Sequence, residues 1–194
     1  MSTAMPPLQT ERLVIRPLVM DDLDDIHHLL DVDLKMDTLT RDERRRWLEW
    51  SVLNYEQLAR LYQPPYGERA VVLKDTNRLI GAVGFAPSYI AAGKLPCYQS
   101  KERQAIGERL HMPEMGLFYA FASAFQRQGY AAEAVRAMID YAFRRMNLRR
   151  IVATTEFDNQ RSQAVMQRVG MHIERNPTPG DPRYLQVVGI LENT

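Results

Sequence analysis

An apolar strand that leads through a short turn into a long amphipathic helix is the feature that most constrains the fold of this chain. Residues Met115–Phe121 are apolar and aromatic enough to predict a buried strand. Residues Ala131–Met146 carry apolar side chains at helical spacing on one face and charged side chains on the other. A buried strand followed so closely by such a helix predicts an α/β protein.

The turn between this strand and helix has the pattern Gln126-x-x-Gly129-x-Ala131. The first turn of a helix leaves four backbone N–H groups without intrahelical partners, and the helix dipole adds to their preference for anions. Gly129 and the small Ala131 let a phosphate group approach the backbone, which a bulky side chain would block. The turn therefore predicts a pyrophosphate site, although a glycine before a helix is also a common turn residue.

The hydrophobic pattern predicts the other elements of the chain. Thr40 and Glu43 have the spacing of a capping box and mark the start of a helix, which Pro64-Pro65 ends after Tyr62. Gly170 is expected as the left-handed cap of a later helix. The remaining helices are predicted at Met20–Leu30 and Arg161–Val169, and the strands at Leu13–Pro17, Ala70–Leu73, Leu79–Phe85, Arg150–Thr155, Met171–Arg175 and Tyr184–Leu191.

The length of 194 residues predicts one domain over the whole chain, residues 1–194. Residues 1–7 are expected to form a disordered tail. Within the domain, prolines and glycines break the pattern over Ala86–Pro113, where we expect a long loop insertion. A stretch of this length is more often a functional loop or lid than a plain insertion, and both interpretations remain open.

Composition excludes several classes of protein. Lys and Arg number 25 against 24 Asp and Glu, and this net charge of +1 argues against a nucleic-acid partner. The single cysteine, Cys97, excludes an intrachain disulfide and a cysteine-built zinc site. No apolar run approaches the roughly 20 residues of a membrane-spanning helix, and the N-terminus has no secretion signal. We therefore expect a cytoplasmic protein with no bound metal and no membrane partner.

Two blocks of the sequence carry a resemblance to a known family. The turn at Gln126–Ala131 is followed downstream by a strand, by the segment Phe157–Ser162 and by a short helix that ends at Gly170. This combination resembles the GNAT superfamily of N-acetyltransferases. The opening segment Leu8–Pro17 and the motif Gly129–Ala134 are most similar to the subfamily that includes the ribosomal-protein N-terminal acetyltransferases, the RimJ/RimL-like proteins.

The resemblance implies a fold and a cosubstrate. It implies a single GNAT-like domain of mixed α/β class. Its central sheet is twisted, mostly antiparallel, of about seven strands and splayed in the middle, with about four flanking helices. The cosubstrate would be acetyl-coenzyme A, with its pyrophosphate in the turn and its pantetheine arm along the end of the central strand. The residues implied as coenzyme-binding are Ala120, Phe121, Gln126, Arg127, Gln128, Gly129, Tyr130, Ala131, Asn159 and Ser162.

The resemblance also suggests candidates for the catalytic residues. Glu114 opens the central strand where family members often carry a glutamate, so it is our first candidate for the general base, against a solvated strand-end carboxylate. Tyr119 could act as the general acid or pack in the core. Met166 stands where many members carry the tyrosine that protonates the leaving thiolate. Asn159 could equally be the N-cap of the next helix, and Ser162 a capping or solvated hydroxyl.

Two charged segments are predicted to face solvent rather than ligands. The run Arg44–Arg46 has no second basic cluster to support RNA binding. An acidic set flanks the first helices and could attract a cationic amine, but a solvated face is the favoured interpretation. Its members are Asp21, Asp22, Asp24, Asp25, Asp31 and Asp33.

The function implied by the resemblance is direct transfer of an acetyl group from acetyl-coenzyme A to a primary amine, in a ternary complex. The acceptor could be a protein N-terminus or a small-molecule amine, and the sequence leaves a homodimer open. A catalytically inactive module that binds coenzyme A or a protein is the alternative function.

Overall fold

A computed structural model describes residues 4–91, 111–176 and 186–193. This part of the chain contains eight strands and four α-helices, which confirms the mixed α/β class. The strands are β1 (Leu8–Gln9), β2 (Leu13–Pro17), β3 (Gly67–Leu73), β4 (Leu79–Ala91), β5 (His111–Phe121), β6 (Arg150–Thr155), β7 (His172–Arg175) and β8 (Val187–Glu192). The helices are α1 (Leu23–His27), α2 (Arg41–Arg60), α3 (Tyr130–Arg144) and α4 (Gln160–Arg168).

The strands follow the order β1-β2-β3-β4-β5-β6-β8-β7 in one sheet. β1–β2, β2–β3, β3–β4, β6–β8 and β7–β8 are antiparallel pairs. β5 and β6 pair in parallel, with Gly116 opposite Val152. The sheet is therefore mostly antiparallel, as predicted, with one strand more than expected.

The chain divides into two compact units. The first unit consists of Met1–Phe85 and Phe118–Met138, and the second of Ala86–Leu117 and Ile139–Thr194. β4, β5 and α3 each contribute residues to both units.

The first unit has an apolar core beneath its antiparallel strands. Residues of β3 and β4 alternate, so that Ala70, Val72 and Ala82 share a cluster with Leu48 of α2 and with the helical segment around Ile26. That segment begins with a 3₁₀ turn, continues through α1 and ends in a short π-helix at Asp33. It thus extends three residues beyond the predicted helix.

The start of α2 confirms the predicted capping box. The Thr40 Oγ1 accepts a hydrogen bond from the Glu43 N–H at 3.3 Å, and the Glu43 carboxylate accepts one from the Thr40 N–H at 2.8 Å. Two N–H groups that the helix cannot satisfy are thereby paired. The helix ends at Arg60, two residues earlier than predicted.

The second unit is built on β6, β8 and β7. β6 pairs with β8 along its whole length, from Arg150 opposite Glu192 to Thr155 opposite Val187. α4 ends before Gly170, whose φ of 89° confirms the predicted left-handed cap. Met166 of α4 is fully buried, and a Cβ added at Gly189 would lie 2.9 Å from its sulfur.

The structure corrects the boundaries of the predicted loop and tail. β4 continues to Ala91 and β5 begins at His111, so both ends of the predicted loop Ala86–Pro113 are strand. The middle of that loop, including Cys97, and the predicted break between the last two strands lie outside the described residues. Met5, in the expected tail, is buried.

The prediction that Arg44 and the acidic set face solvent is wrong for three residues. Arg44 is 1% exposed and Asp31 7%, and the Arg44 Nε lies 2.7 Å from the Asp31 Oδ2. Asp22 is also buried and pairs with Arg16 at 2.7 Å. Burial disfavours ionisation of Asp31, but Arg44 and the Leu39 N–H outweigh that effect and lower the pKa of Asp31. Opposite charges can be buried here because they are buried as hydrogen-bonded pairs.

We expect Arg44→Ala to lower the free energy of unfolding by about 3–5 kcal/mol, because Asp31 would be left buried without its cation. Urea denaturation monitored by circular dichroism measures this change. Arg45→Ala, at an exposed position of the same helix, is the matched control and should change stability by about 0.5 kcal/mol or less. Equal losses in the two variants would contradict the assignment.

Candidate functional site

The turn between β5 and α3 is held in place by side chains that bond to its own carbonyl groups. A 3₁₀ turn at Ser123–Phe125 follows β5. The Gln126 Nε2 donates a hydrogen bond to the Phe121 carbonyl at 2.9 Å, and the Gln128 Nε2 donates one to the Ala124 carbonyl at 2.9 Å. The side chains of the two glutamines therefore hold the path of the chain by bonding to its backbone.

A further anchor lies at the start of the turn. The Ser123 N–H donates to the Asp33 Oδ2 at 2.7 Å. This hydrogen bond lowers the pKa of the Asp33 carboxyl below its ordinary value. Asp33 belongs to the acidic set of the sequence, so one member of that set supports the turn.

Two residues of the turn have a left-handed backbone conformation. Arg127 has φ of 61° and Gly129 has φ of 86°. An L side chain is strained in this region, and a Cβ added at Gly129 would also lie 3.3 Å from the Arg12 Nη2. The positive φ therefore favours glycine at 129, and a Cβ there would also require a small shift of the Arg12 side chain.

The N–H groups of this turn are available to a ligand. In the described chain, the N–H groups of residues 127–132 meet no acceptor, and the first backbone bond of the helix runs from the Glu133 N–H to the Gly129 carbonyl at 3.0 Å. Successive free N–H groups at a helix start form an anion-binding site. The pyrophosphate site that the pattern Gln126-x-x-Gly129-x-Ala131 predicts would use these N–H groups, and it stays a prediction.

A three-residue cluster, Thr10, Arg12 and Glu133, supports the start of α3. The Glu133 Oε1 accepts from the Thr10 Oγ1 at 2.6 Å and from the Arg12 N–H at 2.9 Å. The Glu133 Oε2 lies 2.7 Å from both the Arg12 Nε and the Arg12 Nη2. The Arg12 Nη1 also donates to the Gln128 carbonyl at 3.1 Å. We call this cluster the Arg12–Glu133 clamp.

Sequence reasoning did not find the clamp. Its residues lie in the two segments on which the family resemblance rests, yet their roles were not assigned. Burial disfavours ionisation of Glu133, but the hydrogen bonds from Thr10 and Arg12 outweigh it and lower the pKa of Glu133. The clamp carboxylate is therefore held in its charged form.

Two aromatic rings at the turn contact arginine side chains, one of them Arg12 of the clamp. The Arg12 guanidinium lies 4.2 Å from the centre of the Tyr130 ring, in a cation–π contact. Tyr130 meets Phe125 edge to face at 6.3 Å, and Arg78 lies 5.0 Å from the centre of the Phe125 ring. Tyr130, expected among the coenzyme-binding residues, thus has a second role as a platform for Arg12.

The end of β5 is packed closely against β4. Ala120 and Phe121 are buried and Tyr119 is half-buried. A Cβ added at Gly81 would lie 2.7 Å from the Ala120 carbonyl, so the two strands approach at this point because Gly81 has no side chain.

Glu114 lies in the second unit, where it forms an ion pair. Its carboxylate oxygens face the Arg150 Nη2 and, at 3.2 Å, the Arg150 Nε. Arg150 also lies 3.3 Å from Glu192. The side chain of Glu114 is largely buried, so it is not a solvated strand-end carboxylate.

Asn159 and Ser162 also lie in the second unit, at the start of α4. The Asn159 Oδ1 accepts a hydrogen bond from the Ser162 N–H at 3.1 Å, so Asn159 is the N-cap of this helix. Met166 lies one helical turn further on and is buried. Its side chain offers no ionisable group at that position.

One carboxylate that the sequence analysis did not single out has a strongly perturbed environment. Burial raises the pKa of Glu68 on β3, and Arg44 only partly opposes the effect. The Tyr55 hydroxyl accepts from the Leu18 N–H at 3.2 Å and donates to the Glu68 carbonyl, and burial raises the pKa of Tyr55 to about 12. Perturbed pKa values of this kind are common at functional sites.

Neither a metal site nor a membrane span is found in the part of the chain that the structure describes. Across residues 4–91, 111–176 and 186–193, no group of three His, Cys, Asp or Glu side chains is arranged to hold a metal ion. None of the helices in these ranges is long and apolar enough to cross a bilayer.

An open, mostly antiparallel sheet with flanking helices defines an α/β protein, and the free N–H groups between β5 and α3 are its candidate site. The sequence profile of the acetyltransferase (GNAT) domain matches residues 12–172 of this chain. The chain therefore belongs to the GNAT acetyltransferase family, as the sequence resemblance predicted.

Two curated relatives come from Bacillus subtilis. The uncharacterised N-acetyltransferase YnaD is 35% identical over 104 residues, which cover 54% of this chain and 49% of YnaD. The uncharacterised N-acetyltransferase YoaA is 26% identical over 195 residues, which cover 94% of this chain and 97% of YoaA. The match to YnaD thus spans about half of each protein, whereas the match to YoaA spans nearly all of both.

Solved structures show the same fold at low sequence identity. A GNAT-family acetyltransferase from Bacillus anthracis has a TM-score of 0.67 at 20% identity, covering 96% of this chain and 98% of that one. The ribosomal-protein acetyltransferase RimL, solved in complex with coenzyme A, has a TM-score of 0.61 at 17% identity. The alignment with RimL covers 94% of this chain and 95% of RimL.

We expect Glu133→Gln to lower the free energy of unfolding at neutral pH by about 1.5–3 kcal/mol, because hydrogen bonds to a charged group are lost. A carboxyl whose pKa is lowered by folding stabilises the protein above its ordinary pKa and loses that effect as the pH falls through the lowered value. The difference between wild type and variant should therefore shrink below about pH 4.

Thermal unfolding across this pH range measures the effect. Glu49→Gln, at an exposed position of α2, is the control and should give a constant offset from wild type. A difference for Glu133→Gln that does not depend on pH would contradict the role assigned to its charge.

Proposed function

We propose that this protein transfers the acetyl group of acetyl-coenzyme A directly to a primary amine. The free N–H groups of residues 127–132 carry this proposal, because they suit the diphosphate of the coenzyme. Membership of the acetyltransferase family supports it. The coenzyme A complex of RimL, a protein of the same fold, agrees with this choice of cosubstrate.

The turn residues have distinct parts in coenzyme binding. The backbone N–H groups of Arg127, Gln128, Gly129, Tyr130 and Ala131 hold the diphosphate, while Gly129 leaves space for it. The side chain of Gln126 maintains the turn through the Phe121 carbonyl.

The remaining contacts of the coenzyme rest on the family resemblance. The backbone of Ala120 and Phe121, at the end of β5, pairs with the pantetheine arm. Asn159 and Ser162, at the start of α4, provide further polar contacts.

The proposed reaction is a direct displacement. The nitrogen of a neutral amine attacks the thioester carbonyl carbon, a C–N bond forms, and the C–S bond breaks to release coenzyme A. The nitrogen loses one proton, and the leaving thiolate gains one. Binding both reactants in one complex makes the attack effectively unimolecular. Backbone N–H groups of the Tyr119–Phe121 strand end stabilise the charge that develops on the thioester oxygen.

Glu114 is the proposed general base and Tyr119 the proposed general acid. The ion pair with Arg150 orients the Glu114 carboxylate, and a carboxylate can accept the proton of the amine. Met166 is buried and has no ionisable group, so the proton for the thiolate must come from another hydroxyl or from water.

The acceptor is a protein N-terminus or a small-molecule amine, both of which present the same nucleophile. Binding without acetyl transfer to any amine would instead support the alternative of an inactive coenzyme-binding module. The alternative has no observation in its favour at the turn, where the N–H groups of residues 127–132 meet no acceptor within the described chain.

We expect wild-type protein to bind acetyl-coenzyme A and to release free thiol with a panel of amines and N-terminal peptides. Gly129→Glu should abolish binding, because the side chain fills the diphosphate site. Calorimetry and a thiol-release assay measure the two effects.

Gly170→Glu is the matched control for backbone strain, since Gly170 has φ of 89° and Gly129 86°. A Cβ at Gly170 would meet the Leu191 side chain at 4.0 Å, an ordinary contact, and coenzyme binding should persist. Unchanged affinity in Gly129→Glu would refute the placement of the diphosphate.

We expect Glu114→Gln to lower turnover at neutral pH by about 10²-fold or more, because the amine loses its proton acceptor, with little change in coenzyme affinity. Glu192→Gln is the matched control, because Glu192 is the other carboxylate beside Arg150. Steady-state kinetics with separately measured coenzyme binding gives both quantities. Full activity in Glu114→Gln would remove Glu114 as the base and make Glu68 the next carboxylate to test.

A further inference from the structure

The Arg12–Glu133 clamp links residues that are far apart in the sequence. Glu133 lies 123 residues from Thr10 and 121 from Arg12, and all three belong to the first unit. The carboxylate of Glu133 is hydrogen-bonded on both oxygens, and the guanidinium of Arg12 is shared between this carboxylate and the turn.

The contact between Arg12 and the turn affects where α3 can begin. In a helix that started one residue earlier, the Gln128 carbonyl would accept the N–H of Ala132. Here the Gln128 carbonyl accepts a hydrogen bond from the Arg12 Nη1 at 3.1 Å instead. The Gln128 carbonyl is thus directed toward Arg12, and within the described chain the Ala132 N–H meets no acceptor.

Glu133 sets the position from which Arg12 reaches that carbonyl. The Nε and Nη2 of Arg12 both lie 2.7 Å from the Glu133 Oε2, which directs Nη1 toward the turn. The planar guanidinium can satisfy two neighbouring acceptors at once, which an ammonium group on a flexible chain does less well. The Tyr130 ring, 4.2 Å away, further restricts the arginine.

We propose that Arg12 and Glu133 are positioning residues that hold the turn at 127–132 in the conformation that binds the diphosphate of the coenzyme. This inference rests on the proposed function. The clamp acts before the ligand arrives: it keeps the N–H groups free and ordered, so that binding does not have to order them. The two residues therefore set coenzyme affinity without taking part in the chemical step.

A clamp that only stabilised the fold would give a different result from one that positions the turn. Loss of fold stability would reduce the amount of active protein equally for every acetyl donor. Loss of positioning would affect only donors that carry the diphosphate. S-acetylpantetheine has the same thioester and lacks the diphosphate, so it separates the two cases.

The experiment compares Arg12→Met, Arg12→Lys and Glu133→Gln with wild type, using acetyl-coenzyme A and S-acetylpantetheine as donors. We expect KM for acetyl-coenzyme A to rise about tenfold or more in Arg12→Met and Glu133→Gln, with kcat nearly unchanged. Arg12→Lys should rescue only part of this loss. Turnover of S-acetylpantetheine per folded molecule should be the same in all four proteins.

Arg41→Met is the matched control, because Arg41 forms an exposed ion pair with Asp24 at 2.6 Å in the same unit and does not bond to the turn. Its kinetics with both donors should equal those of wild type. The double variant Arg12→Met/Glu133→Gln should be no worse than either single variant, since the two residues act as one device.

Equal losses with both donors, or unchanged KM for acetyl-coenzyme A in Arg12→Met, would overturn the positioning role. Calorimetry on the wild-type protein tests the proposed function separately. If the wild type binds no acetyl-coenzyme A, coenzyme binding is refuted, whatever the kinetics of the variants. The binding measurement on wild type therefore separates the two failures.

Discussion

Three side chains bond to carbonyl groups of the backbone between β5 and the start of α3, and these hydrogen bonds hold the segment in one conformation. The Phe121 carbonyl is bonded to the Gln126 side chain, the Ala124 carbonyl to the Gln128 side chain and the Gln128 carbonyl to Arg12. In that conformation the N–H groups of residues 127–132 meet no acceptor within the described chain. The candidate site thus depends on side chains that bond to backbone carbonyl groups.

The parts of the fold that the sequence predicts well are those fixed by neighbouring residues. The amphipathic helix α3, the capping pair Thr40 and Glu43, and the cap at Gly170 all follow from local patterns. Arg44 shows where this reasoning fails: within a run of three arginines, nothing local distinguishes the one whose partner, Asp31, lies 13 residues earlier. Only the tertiary pairing makes its burial favourable.

The candidate site likewise has parts that local sequence patterns predict and parts that depend on tertiary contacts. The turn around Gly129 was predicted, because a helix start and a small residue are local properties. The support from Arg12 has no such local signal, although all three clamp residues lie in segments that carry the family resemblance, because a contact across 121 residues leaves no periodic pattern. Glu114 was identified as a candidate by its place on the strand, but its ion pair with Arg150, 36 residues away, depends on the parallel pairing of two strands.

Gly189, Met166 and Met171 share one small volume in the second unit. The missing side chain of Gly189 makes room for two thioethers: a Cβ there would lie 2.9 Å from the sulfur of Met166 and 3.0 Å from that of Met171. A substitution at one of these three positions therefore changes which side chains fit at the other two, so that the effects of substitutions there are not additive. A lineage that exchanged Met166 for an aromatic residue would have to reshape its neighbours at the same time.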